Sequence, residues 1–154
     1  MSDWKRTTKE VPLEGLRPEM VVAIKNHLKQ YSLGAVLFDA LMCVQTDSEK
    51  VKKGLFGSAE TVYMGVVVTP RWLMWAISGT KMQTAVLSAQ LRDVVVQDYA
   101  QTQFAKMIPD IGIQVSGRFT DASDNISAFI GLDDSVVGRK FKEIVIQAVQ
   151  DAKK

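Results

Sequence analysis

The sequence predicts a mainly β, α+β fold: about seven antiparallel strands followed by one long C-terminal helix. Three observations predict it. From about residue 39 onward, Val, Ile, Thr, Tyr and Trp come in short runs separated by Gly, Pro, Ser, Asp and Asn, the punctuation of an antiparallel meander. Two of these runs, Val66 to Val68 and Val94 to Val96, are apolar at consecutive positions, so something must cover the face that water would otherwise wet. The final segment then changes period and places Val137, Phe141, Ile144, Val145, Ala148 and Ala152 on one helical stripe.

Taken in order, residues 1–15 are polar and aperiodic apart from Val11 and Leu13, and are expected to be a flexible arm ahead of a single domain spanning 16–154. Val21, Ile24, Leu28 and Tyr31 share one helical face, which predicts a helix over 18–33. Pro18 suits its first position, where the missing N–H costs nothing, and Gly34 suits its stop. Strands are expected at 40–50, 61–68, 72–78, 84–88, 94–98, 111–119 and 126–132. The sharpest local signal is Val66-Val67-Val68-Thr69-Pro70-Arg71-Trp72-Leu73-Met74-Trp75-Ala76, where Pro70 forces a reversal between two apolar runs. The C-terminal helix is expected over 135–152, with Asp133 and Asp134 ahead of it and Lys153 and Lys154 at its end, as the helix dipole favours. Gly138 dissents by about 1 kcal/mol relative to Ala, which packing in the first turn would explain.

Composition narrows the function. Of 154 residues, 47% are hydrophobic, enough for one sizeable core without disulfides or metal. Nineteen basic against 17 acidic side chains leave a formal charge of +2, too little for generic nucleic-acid binding. One Cys and one His cannot assemble a zinc cluster, a disulfide framework or a supported nucleophile–base triad, and no phosphate loop, nucleophile elbow or dinucleotide fingerprint occurs. The expectation is a non-catalytic protein without a cofactor. There is no signal-peptide pattern, no apolar run of membrane-spanning length, and a lone Cys43 suited to a reducing compartment; a cytoplasmic location is expected.

Seven short antiparallel strands and a terminal amphipathic helix, together with the valine, Thr-Pro-Arg, Trp-Leu-Met-Trp-Ala hairpin, resemble the bacterial pleckstrin-homology-like (PH-like, GRAM-like) domains over roughly residues 39–152. The resemblance implies a bent, partly open barrel over 39–132 plugged by the C-terminal helix, with the helix at 18–33 as an addition. It also implies an interaction module whose partner is a protein or peptide, bound for example by strand addition at an open edge. The structural competitor is a helix-grip fold, with Val11 to Leu13 as a first strand, enclosing a cavity for a small apolar or lipidic ligand.

Many PH domains bind phosphoinositides through basic residues between their first two strands. Here that stretch holds Lys50, Lys52 and Lys53 ahead of Leu55 and Phe56, which implies weak contact with anionic lipid at about 1 kcal/mol per lysine. The following strand, Ala59 to Met64, departs from the family in carrying no Arg or Lys to complete a phosphate cage. The bland alternative is a solvated hairpin end. Arg71 and Arg92 are candidates for an acidic partner, against an ordinary solubilising role. His27, on the first helix, reads as a packed imidazole, and Cys43 as a small buried hydrophobe. Asp121, Asp124 and Asn125 lack the Gly and distal Glu of a calcium loop and read as turn formers. Three Trp leave room for a homo-oligomeric interface.

Overall fold

Burial runs unbroken through the central strands of this chain and thins out toward its edge strands. The computed structural model describes residues 4–50, 57 and 59–154, and its strands are β1 (Trp4–Glu10), β2 (Met42–Lys50), β3 (Glu60–Val68), β4 (Trp72–Gly79), β5 (Met82–Gln90), β6 (Val94–Asp98), β7 (Gly112–Gly117) and β8 (Ile126–Gly131). The helices are α1 (Pro18–Gln30), a single turn α2 (Phe104–Met107) and α3 (Val136–Ala152). All neighbouring strands are antiparallel, in a five-stranded sheet ordered β1-β2-β3-β4-β5 and a three-stranded sheet ordered β6-β7-β8. The class is mainly antiparallel β with a C-terminal helix, and the two sheets are not closed on one another by main-chain pairing.

One expectation is corrected at the start of the chain. Residues 4–10, read as part of a flexible arm, form β1 and pair along their whole length with β2, from Trp4 opposite Lys50 to Glu10 opposite Val44. Their inward positions are Trp4, Arg6 and Thr8, which carry no apolar alternation because two of them make polar contacts. Val11 to Leu13, the first strand of the helix-grip alternative, is not a strand: Val11 and Pro12 follow β1 and Leu13 opens a 3-10 turn, Leu13–Gly15.

The Val66–Val68 run works as its composition demands. Met42, Val44, Val66, Val68, Leu73 and Trp75 face a core shared with the small sheet and α3, while Cys43, Val67, Met74 and Ala76 face a second core capped by Leu16, Met20, Ile24 and Leu37. The large sheet is therefore buried on both sides, by the small sheet and α3 on one and by α1 with its flanking segments on the other. Pro70 makes the β3–β4 reversal; the Thr69 hydroxyl accepts from the N–H groups of Arg71 (3.1 Å) and Trp72 (2.9 Å).

Helix α1 starts at Pro18 as expected but stops three residues before the predicted end, at Gln30. Ser32 takes the left-handed conformation (φ 54°) and Leu33 N–H donates to Leu28 O at 2.8 Å, closing the helix before Gly34 is reached. At its other end, Arg17 N–H donates to Gln45 Oε1 (3.0 Å) and the Arg17 guanidinium lies 3.9 Å over the Tyr63 ring, fixing α1 on the sheet.

Helix α3 is capped by Ser135, whose Oγ accepts from Gly138 N–H at 3.1 Å. A methyl group at position 138 would overlap the Asp133 carbonyl oxygen, which accounts for the glycine in that turn. Phe141 and Val145 from this helix are completely buried between the sheets. Phe141→Ala is expected to lower the unfolding free energy by about 3–5 kcal/mol, measurable by urea denaturation.

Candidate interaction surfaces

Two antiparallel sheets expose four edges, and each edge carries backbone N–H and C=O groups that must be paired, covered or wetted. Among the described residues they differ in charge, length and what lies beside them. At the seam between β1 and β8 the two strands meet through side chains. Thr8 N–H donates to Asp133 Oδ2 at 2.8 Å, and Asp133 N–H donates back to Thr8 Oγ1 at 3.0 Å. Asp133 Oδ1 also accepts from the N–H of Ser135 at 3.1 Å, so one carboxylate ties an edge strand to the cap of α3. Burial pushes the Asp133 carboxyl upward, but the hydrogen bonds from Ser135 and Thr8 outweigh it and hold it below the usual carboxylate range.

Two residues back along β1, Arg6 forms an ion pair with Asp110, both side chains close to nine-tenths buried. Its Nε donates to Ser48 Oγ at 3.1 Å, and the guanidinium stands 5.4 Å from the centre of the Phe129 ring. A methyl group at position 131 would overlap Arg6 Nε, so Gly131 opens the space through which this side chain passes. On either side of it are clefts of about 470 Å³, lined by Trp4, Pro109, Asp110 and Ile111 among others, and about 270 Å³, lined by Val62, Met64, Ile77, Met82 and Phe129 among others. The third edge, β6, is only five residues long and lies beside α3, joined to it by Lys142 Nζ to Asp98 Oδ2 at 2.8 Å.

The edge of β5 is different. Met-Gln-Thr-Ala-Val-Leu-Ser-Ala-Gln contains no charge and no proline. Ser88 O accepts from Thr120 N–H at 2.8 Å, but no other segment makes a main-chain hydrogen bond to Met82–Leu87 among the described residues beyond β4. A register irregularity near Gly79 leaves Ala85–Gln90 in regular pairing with Trp72–Ile77. Met82, Gln83 and Ala85 are exposed. By contrast, β1 carries Lys5, Arg6, Lys9 and Glu10, the charges by which edge strands resist further pairing.

The residues singled out from sequence are divided by this geometry. Lys50 is exposed at the end of β2, where its opposite residue in β3 is Glu60, an acid that reduces any pull on an anionic surface. Lys52, Lys53, Leu55 and Phe56 lie outside the described residues. Arg71 is exposed at the β3–β4 turn, the other end of the nine-residue strand β3, so it is about 27 Å of strand away from Lys50 and does not join it in one site. Arg71 and Arg92, in contrast, line one cleft. Sequence reasoning placed Asp133 ahead of α3 but missed its bonds to Thr8 and the pairing of Arg6 with Asp110, because polar residues that meet across 125 and 104 positions leave no local pattern.

His27 is buried, with Nε2 2.8 Å from Ser88 Oγ and its ring centre 4.7 Å from that of Tyr31. Ser88 donates onward to Thr120 Oγ1 at 2.7 Å. The pair has the spacing of a base and a nucleophile, yet Ser88 is completely buried and its proton is already engaged, so it ties α1 and the 118–121 segment to β5. Asp121 adopts φ 63° and accepts from Tyr31 O–H at 3.0 Å, a turn role. Burial, with a smaller push from Glu10, raises the Cys43 thiol to about 12, which leaves it an unreactive hydrophobe while folded. No group of three or more His, Cys, Asp or Glu among the described residues is arranged to hold a metal ion. No helix among them is long and apolar enough to cross a membrane.

Burial lowers the His27 pKa below the usual 6.5, so the neutral imidazole is the form the fold accommodates. The unfolded chain then binds the proton more readily than the folded one. The contribution of His27 is fully present above about pH 6.5 and declines as pH falls through the lower folded value. Urea midpoints measured from pH 8 down to 5 are expected to fall, and His27→Gln to flatten that part of the curve.

Compared with protein-family models, with curated proteins and with solved structures, the chain matches none.

Proposed function

We propose that this chain is a non-catalytic, PH-like interaction module that binds an extended segment of a protein or peptide partner along β5. The observation that carries the reading is the contrast between edges: β1 is charged and tied at Thr8 to Asp133, β6 is short, and Met82–Leu87 is uncharged with no main-chain partner beyond β4 among the described residues. The element order supports the PH-like description, with α1 as the added helix on the outer face of the large sheet.

The carrier reading has less support. The space between the sheets is occupied by Trp75, Phe141, Leu73 and Ile130, all completely buried. The clefts at the seam, about 470 Å³ and about 270 Å³, lie on either side of Arg6 and not between the sheets and α3, where a helix-grip ligand would sit. A lipid-surface role for Lys50, Lys52, Lys53, Leu55 and Phe56 would be weak and salt-sensitive, at about 1 kcal/mol per lysine.

Peptides selected from a random displayed library against the full chain supply the test. Their addition is expected to shift backbone amide resonances and slow hydrogen exchange at Met82–Leu87. Ala85→Lys, which sets a charge on the edge, is expected to weaken them about tenfold. Selected peptides whose effects map away from β5, or that bind Ala85→Lys equally well, would overturn the reading. Concentration-dependent dimerisation abolished by Ala85→Lys would instead identify a second copy of the chain as the occupant.

A further inference from the structure

We propose a second binding surface, at the corner where β5 passes into β6: the clefts around Arg71 and Arg92 receive an acidic peptide segment, its carboxylates on the two guanidiniums and a neighbouring apolar side chain over Val95 and Ile126. The proposal shares with the β5 reading only the class of occupant, and its residues are different ones.

The corner is rigid where it needs to be. Arg71 follows Pro70 in a turn whose Thr69 hydroxyl accepts from Arg71 N–H, and Arg71 O accepts from Leu91 N–H at 2.8 Å. Leu91 is completely buried, and Arg118 N–H donates to Asp93 O at 3.2 Å, so the 3-10 turn Leu91–Asp93 that carries Arg92 is anchored on both sides. Two arginines from separate loops are thereby presented to one cleft of about 620 Å³, shared with Pro70, Gln90, Asp151 and Ala152.

The charge around this cleft is unbalanced. Asp151 is satisfied by Lys154 at 3.1 Å and by Gln147 at 3.0 Å, and Lys153 meets the partial negative charge at the end of α3. Neither Arg71 nor Arg92 has an acidic side chain within ion-pair distance among the described residues. Among the residues lining the two clefts, Arg71 and Arg92 then face only Asp93 as a remaining acid. Elsewhere, most arginines of the described chain are paired: Arg6 with Asp110, Arg17 with Glu19, Arg139 with Asp134.

Shape selects a peptide over a bilayer or a free phosphate. Both guanidiniums line a concavity, which a flat headgroup surface does not enter; their forks match carboxylate and phosphate alike, but a free phosphate has no apolar part to cover Val95 and Ile126. Arg92 also lines a neighbouring cleft of about 470 Å³ with Val95, Ile126, Ser116, Ser127 and Lys153. Val95 is 55% and Ile126 41% exposed, so apolar surface begins where the charge ends. An acidic run continued by a large apolar residue is complementary to that order.

The test uses the full chain and a fluorescent peptide of consecutive glutamates followed by leucine and phenylalanine, read by anisotropy at low and at physiological salt. Binding is expected at low salt, weakening as salt rises. The double variant Arg71→Gln with Arg92→Gln is expected to lose at least about tenfold in affinity, as is the peptide with glutamine in place of glutamate. Lys50→Glu and Ala85→Lys are expected to leave this binding unchanged, which separates failure here from failure at β5. Both arginines are exposed, and a near-ultraviolet circular dichroism spectrum like that of the parent chain establishes that the double variant folds. No binding at low salt, equal binding by the double variant, or binding of inorganic phosphate or anionic vesicles while the peptide is ignored would each overturn the proposal.

Discussion

A sheet with apolar side chains on both faces has to be covered twice, and that requirement organises this molecule. Met42, Val44, Val66 and Trp75 need one partner layer, and Cys43, Val67, Met74 and Ala76 another. The chain meets the first need with the small sheet and α3 and the second with α1. Each layer is then fixed by polar contacts of its own. Arg17 and Gln45 fix α1, His27 and Ser88 hold it over β5, and Asp133 joins β1 to the cap of α3. The hydrophobic requirement sets what packs; the hydrogen bonds set where.

Much of this was legible in the sequence, and the parts that were not share a cause. Val66 to Val68 announced a doubly covered sheet, and Phe141, Val145 and Ala148 announced the helix on one side of it. Pro70 placed the hairpin and Pro18 the start of α1. Strand β1 was missed because its inward positions are Trp4, Arg6 and Thr8, chosen for contacts with Asp110, Gly131 and Asp133 that only the tertiary fold brings near. The end of α1 was misplaced because Ser32, a residue that pays about 1–2 kcal/mol to enter the left-handed region, does the work expected of Gly34. Of the site residues, Arg71 and Arg92 were recognisable individually; their meeting in one cleft depends on Leu91 N–H reaching Arg71 O.

The surfaces follow from the same economy of coverage. Among the described residues one edge strand is charged and tied to Asp133, another is five residues long, and Met82–Leu87 is the stretch of edge that carries no charge. The basic corner at Arg71 and Arg92 lies at the opposite end of the β4–β5 hairpin from Met82, since Trp72 pairs with Gln90 and Gly79 with Met82. The two proposed surfaces are thus separate regions, and neither overlaps the buried contacts that hold the layers together.

The reciprocal bonds between Thr8 and Asp133 have a consequence during synthesis. They link positions 125 residues apart, so at roughly 5–20 residues per second the ribosome delivers the second partner about 6–25 s after the first. From the emergence of β2 until Asp133 follows, β1 can pair with β2 but lacks Asp133 along its outer side, and nascent chains crowded on one messenger would present that ribbon to one another. Lysines at positions 5 and 9 keep such ribbons apart by repulsion until the junction ahead of α3 has emerged. The cationic character of the first strand is then a safeguard for the growing polypeptide as much as a property of the finished one.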